Sequence, residues 1–198
     1  MERYACEVAP DETGQPLQLH LLRPRAEEGA WASAFFSREV QILKLLNHEN
    51  VVGLAGTVVD ARGAVVGALV PSLPHSLPNA WAGQPRIIPA QHRSILLEVC
   101  RALEFLGARR FHFAQLQPAD VLLSATATAK LQCYGLRPED QQQGREGAVV
   151  LAFGRLAQAA LKAVPMLASD RDMAAFARDC SQGTIKTLCD LTLEAQQV

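Results

Sequence analysis

RALEFLGARRFHFAQLQPADVLLS, residues 101–124, is the stretch whose reading decides the fold. Its first part completes a repeat in which Ile95, Leu96, Val99, Ala102, Leu103 and Leu106 recur at intervals of three and four. That spacing predicts a helix over Ala90–Gly107 with a wide buried stripe, closed by its glycine. After His112 the texture changes to Leu116-x-Pro118-x-x-Val121-Leu122-Leu123, a proline-marked turn that runs into a short apolar strand. A second apolar run, Lys130–Cys133, completes a small hairpin around the loop after Ser124.

Downstream, a polar loop over Arg137–Gly147 leads into a strongly apolar helix, Ala148–Val164, stopped by Pro165. Ser169-Asp170-Arg171-Asp172 has the pattern of a capping box and starts a last helix, which Gly183 interrupts before a final turn or two near Glu194. Upstream, the texture is that of strands. Tyr4–Val8 and Leu17–Leu22 form a hairpin through Pro10-Asp11-Glu12-Thr13-Gly14, with Leu17, Leu19 and Leu21 on one face and His20 and Leu22 on the other. Trp31–Asn47 carries Phe35, Phe36, Val40, Leu43 and Leu46 at helical spacing. Strands follow at Val51–Val59 and Ala64–Val70. The proline-rich residues 71–89 neither continue a sheet nor start a long helix, so they read as a connector. Strands first and helices second predict an α+β chain of two lobes.

Composition narrows the function. The chain has 198 residues, 49% hydrophobic and 20% charged, with a formal net charge of −1. It is long enough to bury a substantial core. No basic excess favours nucleic acid or an anionic membrane, and no window of about 18 apolar residues spans a bilayer. A cytoplasmic location is expected. The five cysteines, Cys6, Cys100, Cys133, Cys180 and Cys189, are scattered without a Cys-x-x-Cys pair, which predicts free thiols, not a disulfide framework or a zinc site.

The residues also carry a family resemblance. FFSREVQILKLLNHENVVGLAG, residues 35–56, is similar to the single small-lobe helix and following strand of the protein kinases, with Glu39, Leu43, His48, Asn50 and Gly56 at the family's positions. LQLHLLRP resembles the strand that carries the ATP-orienting lysine, but His20 stands there. KLQCYGL, residues 130–136, resembles Lys-Ile-x-Asp-Phe-Gly-Leu with Cys133 for the metal-binding aspartate and Tyr134 for the phenylalanine. VVLAFGRL, residues 149–156, resembles Asp-Val-Trp-Ser-Phe-Gly with Val149 for the aspartate. In FHFAQLQPADVLL the base position is Ala114, the preceding arginine is Phe113, the lysine is Gln117 and the asparagine is Asp120.

The resemblance implies an α+β, bilobal protein-kinase-like fold: one domain over 1–198, with a small antiparallel N-lobe and one helix at 1–70, a connector at 71–89, and a reduced, mainly helical C-lobe at 90–198. Phosphoryl transfer in the family uses a glycine-rich loop, the lysine–glutamate pair, a base and two metal-binding side chains. His20 lies too near the start for the glycine loop, and the Gly135–Val149 interval is short for an activation segment. Of the charged groups only Glu39 and Asp120 are left. The reading is therefore a pseudokinase, not an enzyme, with no cofactor and no metal site.

At individual positions, alternatives stay open. Leu43, His112 and Tyr134, extended by Leu54, match a hydrophobic spine that joins the lobes in the family. His112 is read as a packing group, not a catalytic one. Glu39 and His20 are a remnant ion pair, or else Glu39 is a solvated helix residue. Cys133 is a modifiable thiol or a plain buried cysteine. Asp120 is a metal ligand or a turn former bonded to backbone.

Three functions follow. One is an interaction scaffold or allosteric regulator that binds protein partners, such as an active kinase or a signalling adaptor, through the Trp31–Asn47 helix, the connector or the C-terminal helices. Another is a nucleotide-binding or weakly active atypical kinase that uses Glu39 and Asp120 as improvised metal ligands. The last is a fragment or isoform of a longer kinase-like protein.

Overall fold

The computed structural model describes residues 2–12, 14–23, 29–83, 87–113, 115–134, 136–138, 145–168 and 171–182. The chain divides into two compact units, Met1–Ser72 and Leu73–Val198.

The first unit is one antiparallel sheet with one helix. Strands β1 (Glu2–Val8), β2 (Leu17–Arg23), β3 (Gly56–Val59) and β4 (Val65–Pro71) lie in the order β1-β2-β4-β3, and helix α1 spans Gly29–Leu45. The β1–β2 hairpin pairs from Glu2 against Arg23 to Val8 against Leu17. Its turn is held by Asp11, whose carboxylate accepts the Gln15 N–H at 2.9 Å, while Gly14 adopts φ +80°, a left-handed conformation that suits glycine. Asp60 does the same between β3 and β4, accepting the N–H groups of Arg62 and Ala64 at 2.9 Å each.

The core of this unit forms where α1 meets the sheet. Phe36, Val40 and Ala68 are fully buried together, with Leu54 and Val65 packed on them. Full burial of Phe36 or Val40 stabilises by about 1.5–3 kcal/mol each. His20 pairs directly with Ala68 and so shares that face. This keeps the division that the alternation predicts, with His20 on one face of β2 and Leu17, Leu19 and Leu21 on the other. Leu19 and Leu21 are half-buried on the opposite face, where a Cβ added to Gly67 would meet each of them and Val58 at 3.1 Å. His20 is 6% exposed, and Leu17, at the start of the strand, is 8% exposed.

The expected strand Val51–Val59 is regular only from Gly56. Val51 and Val52 are 1% and 3% exposed, and two consecutive buried side chains do not fit the alternating faces of a half-covered strand. Helix α1 begins and ends two residues earlier than expected, at Gly29 and Leu45.

The second unit is mainly helical. Its helices are α2 (Leu77–Trp81), α3 (Pro89–Ala108), α4 (Arg145–Ala163), α5 (Pro165–Ala168) and α6 (Arg171–Gln182). Strands β5 (His75–Ser76), β7 (Val121–Leu123) and β8 (Ala129–Leu131) form a small sheet in the order β5-β7-β8, while β6 (Phe111–Phe113) pairs with β9 (Leu136–Pro138). Helix α3 buries Ile95, Leu96, Val99, Ala102, Leu103 and Leu106, the stripe that the spacing predicts. Phe153 of α4 and Phe176 of α6 meet edge to face, with ring centroids 6.0 Å apart. Among the described residues no helix is long and apolar enough to cross a membrane.

Three expectations change here. Residues 75–81 are a strand and a helix, not bare connector: Pro78 sits in the first turn of α2, where no N–H is needed, and Leu77 and Ala80 are buried. Helix α3 runs one residue past Gly107, and the left-handed residue after it is Arg110, at φ 59°, with the Arg109 guanidinium 3.7 Å from the Phe105 ring centre. The expected polar loop at 137–147 contains the end of β9 and the start of α4. The Ser169-Asp170 cap, Gly183 and everything beyond lie outside the described residues.

Candidate functional site

In the first unit the sequence marks His20, Glu39 and Leu43. Helix α1 carries Phe36, Glu39, Val40 and Leu43 at intervals of three, one and three, so all four fall on its inward face. Glu39 is 4% exposed, which excludes a solvated helix residue. His20 Nε2 donates to the Gln18 side-chain oxygen at 2.9 Å. Leu43 is 3% exposed. The Leu46-x-His48-x-Asn50-Val51 motif is a turn: His48 Nδ1 accepts the Asn50 N–H at 3.0 Å, and the His48 carbonyl accepts the Val51 N–H at 3.1 Å.

In the second unit the fold brings Asp120 and Cys133 together. Asp120 ends a short 3-10 turn, Pro118–Asp120. Its carboxylate accepts the Gln117 N–H at 2.8 Å, its own N–H donates to the Gln117 carbonyl at 3.0 Å, and its carbonyl accepts the Gln132 N–H at 2.8 Å. Three bonds thus fasten the turn to itself and to the residue before Cys133. Cys133 is 2% exposed, and its Sγ donates to the Leu131 carbonyl at 3.6 Å. Burial, and after it the negative charge of Asp120, push this thiol far above its ordinary range, so it stays protonated.

His112 lies half-buried in β6, in register with Arg137, and Tyr134 lies half-buried between β8 and β9. Val149 is 8% exposed in α4. Ala114 and Gly135 are outside the described residues. Cys6 is exposed, whereas Cys100, Cys133 and Cys180 are buried, all as free thiols; Cys189 is outside the described residues.

Two groups escape the sequence reading. Glu98 of α3 accepts the Ala129 N–H at 2.5 Å across 31 residues and ties the helix to the start of β8. No local pattern signals a bond of that span. His92 is 3% exposed, and its Nδ1 donates to the Ile88 carbonyl at 3.1 Å while Nε2 is buried with no hydrogen-bond partner among the described residues. Desolvation lowers its pKa below 6.5, partly offset by the Ile88 bond.

A magnesium nucleotide, which the resemblance implies, takes hard oxygen ligands. The donor set that the resemblance marks in this unit does not fit it. Cys133 is a buried neutral thiol, and the Asp120 carboxylate is already engaged by backbone. No group of three or more metal-ligating side chains occurs among the described residues.

Residues 5–151 match the family model for protein tyrosine and serine/threonine kinases, from β1 into α4. The chain belongs to the protein kinase family. Among its relatives are a serine/threonine-protein kinase of Yarrowia lipolytica, 30% identical over 50% of this chain and 15% of that protein, and the tyrosine-protein kinase JAK1 of Danio rerio, 24% identical over 66% and 12%. The serine/threonine-protein kinase TOS3 of Saccharomyces cerevisiae is 26% identical over 63% of this chain and 22% of that protein. The chain therefore spans less than a quarter of the length of each. All three are named as kinases, which overturns the expectation that the chain is not an enzyme. The replacements at His20, Ala114 and Cys133 speak only for those positions and do not set the chain apart from a family of phosphotransferases.

Proposed function

We propose that this kinase-family domain acts as a protein-interaction scaffold and allosteric regulator of signalling partners. The observation that carries the reading is the use made of Asp120 and Cys133. The aspartate caps a turn and the thiol is buried and protonated, so both serve the local fold. A domain built this way contributes surfaces, and a partner that prefers one of its conformations shifts the population toward it.

The test is affinity capture with the purified chain, followed by solution affinities for each captured protein. Micromolar or tighter binding that survives purification of both components supports the reading; loss of all binding once the components are pure sinks it.

The names of the relatives favour a second reading, nucleotide binding with weak atypical activity in which Asp120 takes part. A ligand that binds only the native state must raise the melting temperature. A rise with ATP that requires Mg²⁺ or Mn²⁺ and disappears in Asp120→Ala would favour this second reading.

A further inference from the structure

The end of helix α3 gathers positive charge. Arg101, Phe105 and Arg109 follow one another at intervals of four and so share one stripe, and Arg101, Arg109 and Arg110 are all exposed. The Arg109 guanidinium lies 3.7 Å from the centre of the Phe105 ring. A helical side chain leans back over the turn before it, so the Phe105 ring lies toward Arg101, and stacking on that ring draws Arg109 the same way. Arg110 follows at φ 59°, the left-handed conformation in which glycine is the usual helix terminator. An arginine there carries a conformational cost that glycine avoids, and such outliers gather where a side chain has a task.

Among the described residues none of the three arginines has an ion-pair partner. The single carboxylate between residues 99 and 113, Glu104, stands in the neighbouring row, four residues after Cys100, and its charge acts on that buried thiol. Three cations against one carboxylate leave the patch net positive. We propose that this patch holds a phosphorylated side chain of a partner protein, with the phosphate set between Arg101 and Arg109 and within reach of Arg110. Guanidinium forks match phosphate oxygens in pairs, and a guanidinium already stacked on a ring loses less freedom on binding. A carboxylate, with one charge and two oxygens, satisfies fewer of these donors. The inference rests on the interaction reading and names the partner's chemistry.

The probes are three short labelled peptides of one glycine- and alanine-rich sequence, with phosphoserine, serine or glutamate at the centre. Fluorescence anisotropy with the whole chain should show the phosphoserine peptide binding at least about tenfold more tightly than the other two at low salt, with the gap closing toward about 1 M salt. Arg101→Ala with Arg109→Ala should abolish the preference at an unchanged melting temperature, and Arg62→Ala, in the exposed β3–β4 turn, should leave it intact. Arg110→Gly should raise the melting temperature while weakening the phosphoserine peptide, a split that a purely structural residue would not give. Equal binding of the phosphoserine and serine peptides, or of the phosphoserine and glutamate peptides, overturns the proposal, as does a preference that survives the double variant. Capture on phosphatidylserine vesicles without a phosphopeptide preference would assign the patch to a lipid surface and equally overturn it. If the preference is absent while captured partners still bind, the patch fails and the scaffold reading stands; loss of all partner binding sinks both.

Discussion

The polar groups that the family resemblance marks stand on different terms in the two units. In the first, His20 and Glu39 are 6% and 4% exposed in the layer that holds Phe36, Val40 and Ala68, so polar side chains share space with the apolar core. In the second, Asp120 stays half-exposed and acts through short bonds to the backbone of its own turn and of Gln132. Positions that the family resemblance marks alike thus have unlike physical duties. A motif match gives the place of a side chain, and its burial and hydrogen bonds give its role.

The largest effects belong to the apolar cores and show whether the units are comparable at all. Phe36→Ala and Phe153→Ala each remove a fully buried ring, and each should cost about 3–5 kcal/mol in urea unfolding. A loss below about 1 kcal/mol in either would show that its layer collapses around the gap. Next comes the long-range tie in the second unit. Glu98→Ala leaves the Ala129 N–H without its carboxylate and should cost about 1–3 kcal/mol, with faster hydrogen exchange at that amide. Unchanged exchange there would dissolve the tie.

His92 supplies a pH test. Because its folded pKa lies below 6.5, the native state favours the neutral ring. The stability it contributes is present above the unfolded pKa of about 6.5 and is lost as pH falls through the lower folded value. His92→Leu should therefore flatten the decline in melting temperature below about pH 6.5. A parallel decline in both proteins would remove His92 from the account. The smallest effect is kinetic. Cys6 is exposed while Cys100, Cys133 and Cys180 are buried, so mass-mapped alkylation of the native chain should label Cys6 first and the other three only with denaturant.

Much of the fold was legible. The three-and-four spacing from Ile95 to Leu106 locates α3, and the Asp11–Gly14 turn locates the first hairpin, because both signals are local. The alternation along β2 separates His20 from Leu17, Leu19 and Leu21, but it does not say which face meets the helix. It took the pairing of His20 with Ala68, together with the crowding of Leu19 and Leu21 around Gly67, to reveal it. Strands β5, β6 and β9 are two or three residues long and exist through distant pairing, which no periodicity carries. At the site, the sequence located Asp120 and Cys133, but their contact with each other depends on the Gln132–Asp120 bond, a tertiary fact. The inference from missing charges to a non-enzyme went too far because it weighed a few positions against a resemblance that spans residues 5–151.

Equilibrium unfolding of Asp120→Ala tests the central claim most directly, since a residue that holds a turn and a residue kept for chemistry respond in opposite ways when removed. If Asp120 holds the turn to Gln117, the variant should lose about 1 kcal/mol of stability. Stability unchanged or increased, as when a strained functional residue is removed, would contradict the account.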